Sequence, residues 1–376
     1  MHTRIFREGF MPVSALGFGC MRLPQIEGKK DKIDEQAARE MVDYAIEHGV
    51  NYFDTAFVYH SGKSETFLGS ALAGYDRESY CLATKMPPWI VGKTADLKSV
   101  FELQLEKLNT RYIDFYLLHS LDAGSFAKFQ KVKAYEFLEK MRDKGKIKFI
   151  GFSFHDNTEV FREILDAHDW DFAQLQLNYV DRAKNDAGTQ LDLLAERGIP
   201  CIVMEPVRGG ALANPGPGVE AVFNAMEPGR TMASWALRYA ASLPNVLTVL
   251  SGMSSLEQMK ENVELFSDFC PLAPEQMSAA EKAGLVFAAG EAVGCTACRY
   301  CMDCPSGVDI PGVFALFNDY KKTGDAAAFL AAYAALPDGS KAEDCTACGV
   351  CKEKCPQTID IPKKMEEIAR LMPKLV

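Results

Sequence analysis

The first 265 residues alternate two kinds of hydrophobic pattern. Short runs of aliphatic and aromatic residues recur at ALGFGC (15–20), NYFDTA (51–56), YCLATKM (80–86), IDFYLLHS (113–120), KFIGFS (148–153), FAQLQLNY (172–179), PCIVMEPV (200–207) and VLTVLSG (246–252). Runs of this length and composition predict buried strands, and there are eight. Between them the period becomes helical: Leu97, Val100, Phe101, Leu105 and Leu108 fall on one face, as do Ala38, Met41, Val42, Ala45 and Ile46. Gly49 and Gly145 stand where helices end, and Asp34 and Asn157 where N-caps belong. Eight strand–helix alternations predict an α/β fold of the closed kind, a (β/α)8 TIM barrel with its chemistry at the C-terminal ends of the strands. The competing open, doubly wound sheet lacks its usual mark, since no G-x-G-x-x-G follows the first strand.

The pattern changes after Cys270, where PLAPEQMSAA has linker composition and the remainder reads as helical. The expected organisation is a barrel domain over 1–270 and a small α-helical domain over 271–376. The second region repeats itself: CTACRYCMDCPSGVDIP from Cys295 is answered by CTACGVCKEKCPQTIDIP from Cys345. Each copy runs through CTAC, further cysteines and Cys-Pro to an aliphatic residue and Asp-Ile-Pro, which implies a shared structural task.

Composition narrows the partners. The 376 residues are 48% hydrophobic and 24% charged, as in globular proteins, with a net charge of -10 and no run of lysine or arginine. Nucleic acid is therefore not an expected partner. The N-terminus MHTRIFREGFMP lacks the apolar core of a signal peptide. The longest charge-free helical run, Ala326 to Leu336, is too short to cross a bilayer, so the expectation is a cytoplasmic protein without a membrane partner. In that reducing compartment eight of the twelve cysteines, crowded at 295, 298, 301, 304 and at 345, 348, 351, 355, point to metal and not to disulfides. Cys20, Cys81, Cys201 and Cys270 are scattered and read as core residues, although Cys20, at the end of the first strand, is placed to approach a cofactor.

Polar residues gather where strands end. Asp54 and Tyr59 lie at and just after the end of the second strand, Lys85 near the end of the third and His119 near the end of the fourth. An aspartate, a lysine and a histidine buried together must pair, so the rim holds either an ion-pair network or an active site. The set suits carbonyl reduction. An ammonium beside a tyrosine favours the phenolate and lowers its ordinary pKa of about 10. Lys85 would supply that charge, Asp54 would hold Lys85, and His119 would orient a carbonyl oxygen toward the Tyr59 hydroxyl. His60 and His155 near the same rim read as loop histidines.

The segments GFGCMRLP, FDTAFVYHSGKSETFLGSAL, LATKMP, DFYLLHSL and GFSFHD resemble those of the aldo/keto reductases over roughly residues 3 to 266. The resemblance carries the family's catalytic tetrad onto Asp54, Tyr59, Lys85 and His119. It implies a nicotinamide cofactor at the rim, with carboxamide contacts at Ser153 and Gln174. It also implies a segment along the cofactor at MEPVRGGAL, where Glu205 takes the place often held by serine. LSGMSSLEQMKENV resembles the phosphate and adenine segment, with Ser254, Glu261 and Asn262 in place. The basic residues that often grip the 2'-phosphate are replaced by Gly252 and Gln258, leaving NADPH and NADH both open. Phe154 stands where many members have an asparagine. A phosphate site after strands seven and eight would also receive flavin mononucleotide.

The spacing C-x2-C-x2-C-x3-C-P at 345 to 356 is that of a four-iron cluster motif, in which three cysteines wrap one cubane and the fourth ligates its neighbour. Crossed ligation gives one cluster Cys295, Cys298, Cys301 and Cys355, and the other Cys345, Cys348, Cys351 and Cys304. Structural zinc is the competing occupant. The region resembles two-cluster ferredoxins, and its 41-residue helical step from Cys304 to Cys345 resembles the α-helical ferredoxin-like modules of redox enzymes. The expectation is an iron-sulfur oxidoreductase acting on a small carbonyl or alcohol, with two 4Fe-4S clusters serving ferredoxin or another one-electron carrier. The alternative is a plain NAD(P)H carbonyl reductase whose cluster domain is structural, docks a partner or senses redox state.

Overall fold

The computed structural model describes residues 1–27, 32–184 and 186–375, with the side chains of residues 183 and 184 left aside. The chain divides into two compact units: Met1–Val207 with Ala233–Ala280, and Arg208–Met232 with Glu281–Val376. The second unit thus includes the stretch after the seventh barrel strand as well as the cysteine-rich end.

In the first unit eight parallel strands close into a barrel, Leu16–Gly19, Tyr52–Asp54, Cys81–Met86, Ile113–Leu121, Ile147–Phe154, Phe172–Gln176, Cys201–Met204 and Val246–Ser251. Closure comes from Val249, Leu250 and Ser251 of the last strand pairing with Leu16, Gly17 and Phe18 of the first. Each strand falls within or overlaps one of the eight apolar runs, because a strand covered on both faces must be apolar nearly throughout. A short hairpin, Thr3–Arg4 with Val13–Ser14, precedes the barrel. The hairpin loop's Phe6 is buried in one cluster with Tyr52, Cys81, Phe115, Phe172 and Leu247, all near strand starts. Its ring meets Phe115 at 5.2 Å and Phe149 at 4.6 Å. The N-terminal end of the barrel is therefore plugged, and the polar rim lies at the other end.

The helices begin as their caps predict. Asp34 accepts from the Ala37 N–H at 3.2 Å and opens Glu35–Glu47. Asn157 accepts from the Glu159 and Val160 N–H groups and opens Thr158–Ala167. Caps of this kind are worth about 1 kcal/mol each. Helix Thr94–Lys107 buries Leu97, Val100, Phe101 and Gln104, with Leu105 only half-buried. A glutamine thus takes a place on the inner face where a leucine is expected, and its function emerges at the active site.

The second unit is helical. Ile310–Thr323, Ala326–Ala334 and Ile361–Leu375 enclose a core of Val308, Val313, Phe314, Phe317, Phe329, Tyr333, Met365 and Ile368, which also contains Cys301 and Cys351. Both Asp-Ile-Pro strings open a helix, at Ile310 and at Ile361, where proline's missing N–H costs nothing. No helix among the described residues is long and apolar enough to cross a membrane.

One close approach gives a direct test of the packing. Helix Ser64–Leu72, which follows the Tyr59 turn, presents Gly69 to the end of helix Thr94–Lys107, where a methyl group would lie 2.4 Å from the Lys107 carbonyl oxygen and 2.6 Å from the Leu108 carbonyl carbon. Backbone cannot yield as a side chain does. Gly69→Ala is expected to destabilise the barrel by about 1–3 kcal/mol in urea unfolding, and an unchanged midpoint would show that the two helices separate freely.

Candidate active site and cysteine quartets

The sequence places Asp54 as the last residue of the second strand, Lys85 as the next-to-last of the third and His119 near the end of the fourth. All are buried: Lys85 is 0% exposed, Asp54 2%, His119 3% and Tyr59 8%. Lys85 Nζ donates to Asp54 Oδ1 at 2.7 Å, to the Thr55 carbonyl at 2.8 Å and to the Tyr59 hydroxyl at 3.3 Å. The His119 ring stands edge-on to Tyr59, centroids 6.2 Å apart, and to Trp89 at 5.1 Å. The four rim residues thus form one buried constellation.

Burial alone drives the two charges toward neutrality, lowering the Lys85 pKa and raising that of Asp54, while their mutual attraction opposes both shifts. At 2.7 Å, with a carbonyl as third partner, the pair is held as ammonium and carboxylate. Burial, then the charges of Lys85 and His155, hold His119 well below the ordinary histidine value. His119 is therefore a neutral imidazole at pH 7.

Gln104, on its helix's buried face, explains how the third strand is fixed. Its Nε2 donates to Glu65 Oε1 at 2.7 Å and to the Lys85 carbonyl at 3.0 Å, and its Oε1 accepts from the Tyr116 hydroxyl at 2.5 Å. Tyr59 begins a tight turn, Tyr59–Gly62, in which His60 and Ser61 take positive φ of 50° and 54°. His60, expected as an ordinary loop histidine, is buried, and its Nε2 accepts from the Leu23 N–H at 3.2 Å. It thereby ties the tyrosine turn to the loop after the first strand.

Ser153 and Gln174 are direct partners on adjacent strands. Ser153 Oγ accepts from the Ser120 N–H at 2.7 Å, and Gln174 Nε2 donates to Met204 Sδ at 3.4 Å, but the buried Gln174 Oε1 has no hydrogen-bond partner among the described residues. A buried acceptor of this kind fits the N–H of a ligand amide. Phe154 turns away and packs on Phe161 at 4.7 Å. Glu205 follows the seventh strand at φ 52°, and its carboxylate pairs with Arg22 at 2.9 Å. Gly252 follows the eighth strand. Ser254 donates its hydroxyl to the Arg22 carbonyl at 2.7 Å, and its N–H donates to Gln258 Oε1 at 2.8 Å. Asn262 turns inward to Ser251 Oγ, while Glu261 is exposed one turn into helix Leu256–Ser267. Arg22 was not singled out by its sequence context, although a cation inside GFGCMRLP is its only visible signal. Cys20 is fully buried, and burial pushes its thiol far above the ordinary range.

In the second unit the two cysteine stretches fold alike. Ala297 and Arg299 in the first copy, and Ala347 and Gly349 in the second, share positive φ. The turn after the last cysteine also repeats, with Gly307 N–H donating to the Cys304 carbonyl and Thr358 N–H to that of Cys355. The one-residue difference before that cysteine leaves the turn unchanged. Cys295, Cys298, Cys301 and Cys355 line one cavity, with Ile310 and Phe314 as apolar wall. Burial raises the Cys301 thiol, and Cys298, Cys295 and Cys355 push it the same way. Burial pushes the Cys351 thiol up to about 11, with Cys345, Cys304 and Cys348 adding to it. The first cavity thus takes its fourth cysteine from the other copy, and Cys304 is near enough to Cys351 to act on its thiol together with Cys345 and Cys348. Among the described residues no group of three or more His, Cys, Asp or Glu is arranged to hold a single metal ion.

Comparison with known proteins agrees with both halves. Residues 15–284 match the aldo/keto reductase family, and residues 294–359 match a 4Fe-4S dicluster domain. The chain is 28% identical over 292 residues to L-galactose dehydrogenase of Arabidopsis thaliana, covering 72% of this chain and 90% of that protein. It is similar to a solved aldo-keto reductase from Bacillus halodurans in its holo form, at 29% identity and a TM-score of 0.64 over 75% of this chain and 96% of that one. An aldo-keto reductase from Klebsiella pneumoniae, solved with NADP and acetate, shares the fold at 24% identity and a TM-score of 0.60, over 72% and 91% of the two chains.

The buried histidines set a pH dependence. His119 is held well below its ordinary 6.5, and burial lowers His155 to about 4. Below pH 6.5 the unfolded chain takes up protons that these two sites refuse, so their contribution to stability is complete above that value and is lost as pH falls toward about 4. His119→Gln should therefore lose less stability than the wild type over that range. Urea unfolding followed by tryptophan fluorescence reads this, because Trp89, Trp170 and Trp235 all lie in the barrel unit. Equal losses would place the titration elsewhere.

Proposed function

The chain belongs to the aldo/keto reductase family, and from that premise we propose that it interconverts a small carbonyl compound and its alcohol, with Tyr59 as the proton donor. The observation that carries this reading is the buried chain from Asp54 through Lys85 to the Tyr59 hydroxyl. Bound nicotinamide supplies the hydride, and cubane clusters supply single electrons. The remaining work belongs to the protein. Lys85 stabilises the negative charge left on the Tyr59 oxygen as its proton moves to the substrate oxygen. Asp54 keeps Lys85 charged and in place, and neutral His119 orients the carbonyl oxygen toward Tyr59.

The residues present suit both groups. Ser153 and the unsatisfied Gln174 Oε1 would hold the nicotinamide amide. Glu205, Gly252, Ser254, Gln258, Glu261 and Asn262 would line the rest of the cofactor path, with NADPH and NADH both admissible and flavin mononucleotide as the competing occupant. The quartets of Cys295, Cys298, Cys301 and Cys355, and of Cys345, Cys348, Cys351 and Cys304, would hold two 4Fe-4S clusters exchanging electrons with ferredoxin or a similar carrier in a reducing cytoplasm. One observation favours a structural contribution as well. Cys301 and Cys351 belong to the core of the second unit, with Cys295, Cys304, Cys345 and Cys355 packed against it, so cluster loss would open that core.

Tyr59→Phe should lower kcat by about 10²–10⁴-fold while leaving nucleotide Kd nearly unchanged, and retained turnover would remove Tyr59 from its role. For the clusters, Cys355→Ala prepared anaerobically separates crossed from local ligation. With crossed ligation the centre wrapped by Cys295, Cys298 and Cys301 is lost, and the one wrapped by Cys345, Cys348 and Cys351 keeps its electron paramagnetic resonance signal. Loss of the latter alone would mean local ligation, and zinc in place of iron would end the cluster reading.

A further inference from the structure

Three positions assigned to the cofactor path converge on one residue outside it. Arg22, in the loop after the first strand, pairs through Nη2 with Glu205 Oε1 at 2.9 Å. Its carbonyl accepts from the Ser254 hydroxyl at 2.7 Å. Its aliphatic stem lies over Gly252, where an added methyl group would meet Arg22 Cδ at 3.1 Å and Cβ and Cγ at 3.2 Å. Position 252 is one of the two at which the resemblance implies a basic side chain and this chain has none. The space such a side chain would enter is occupied by an arginine from the loop after the first strand.

We propose that Arg22 grips a phosphate of the bound nucleotide, supplying from the first strand's loop the cation that Gly252 lacks. The proposal rests on the nucleotide reading of the rim. A guanidinium presents its donors as a planar fork matched to carboxylate and phosphate alike. Glu205 is the anion that holds the fork before a phosphate arrives. Stability alone does not account for the pair, since partly exposed ion pairs of this kind contribute little, and the Arg22 and Glu205 side chains are 23% and 13% exposed. Glu205 moreover sits at φ 52°, a conformation that is costly for a residue with a side chain and that clusters at ligand sites. The anchors of Arg22 are also in place: Ser254 fixes its carbonyl, and His60 accepts from the next N–H, that of Leu23.

Calorimetric titration of the full chain with NADPH, NADH and flavin mononucleotide tests this, using wild type, Arg22→Gln, Arg22→Lys and Glu205→Gln. Arg22→Gln should weaken binding about ten- to a hundredfold, Arg22→Lys should recover part of the loss, and Glu205→Gln should tighten binding by removing the competing anion. A loss confined to NADPH identifies the 2'-phosphate, an equal loss for NADPH and NADH identifies the diphosphate, and a loss for flavin mononucleotide alone keeps Arg22 on a phosphate while ending the nicotinamide reading. Unchanged affinity in Arg22→Gln overturns the proposal and leaves the nucleotide reading intact. Weakening in both Arg22→Gln and Glu205→Gln also overturns it, because a strap that only supports the fold fails whichever end is cut. Wild-type protein that binds none of the three ends both readings.

Discussion

A lysine ammonium with no exposure to solvent governs the architecture of the barrel rim. Left without partners, such a charge would surrender its proton or unfold its surroundings. Three oxygens meet Lys85, from Asp54, Thr55 and Tyr59, and they come from the end of the second strand and the turn that follows it. The third strand is held in turn by Gln104, which binds the Lys85 carbonyl from a helix further along the chain. Removing one partner of a buried pair costs about 3–5 kcal/mol, so the strands, the tyrosine turn and the helix are bound to the same requirement.

The cysteine-rich unit meets a different constraint. Its core is small, and small cores are commonly stabilised by a metal centre. Cysteines of both stretches lie against that core, and the positive φ values at Ala297, Arg299 and Ala347 run against the steric preference of residues with a side chain, glycine taking the same conformation freely at Gly349. Such strain persists only where the surroundings impose it. The repetition of the same backbone in two stretches fifty residues apart explains why their sequences match where they do: CTAC sets the wrap, Cys-Pro the turn, and Asp-Ile-Pro the helix that follows.

The parts of the fold that the sequence revealed are those fixed by local pattern. All eight strands were legible because burial on both faces makes them apolar throughout, and Asp34 and Asn157 announced their helices because a cap acts within three residues. Relations between distant segments that no motif carries were not legible. Phe6 lies in the polar-looking stretch MHTRIFREGF, and nothing local says that it plugs a barrel. Gln104 sits one position from Leu105, and the helical period alone favours the leucine. Arg22 acquires its partner only when the ends of the first, seventh and eighth strands come together, 183 residues apart in the case of Glu205. The linker composition after Cys270 marked a change of character, but it could not show that Arg208–Met232 also belongs to the second unit.

That last assignment bears on how the two chemistries relate. The chain passes between the units at Val207–Arg208, at Met232–Ala233 and at Ala280–Glu281, so the cysteine-rich unit is not a tail attached at one point. Its extra segment begins three residues after Glu205, and Arg208 is buried there in an ion pair with Glu291. Hydride chemistry moves two electrons and cluster chemistry moves one, so a chain uniting them in turnover needs an intermediary able to do both, such as a flavin or a substrate radical. The identity of that intermediary is the chemical question on which the function turns.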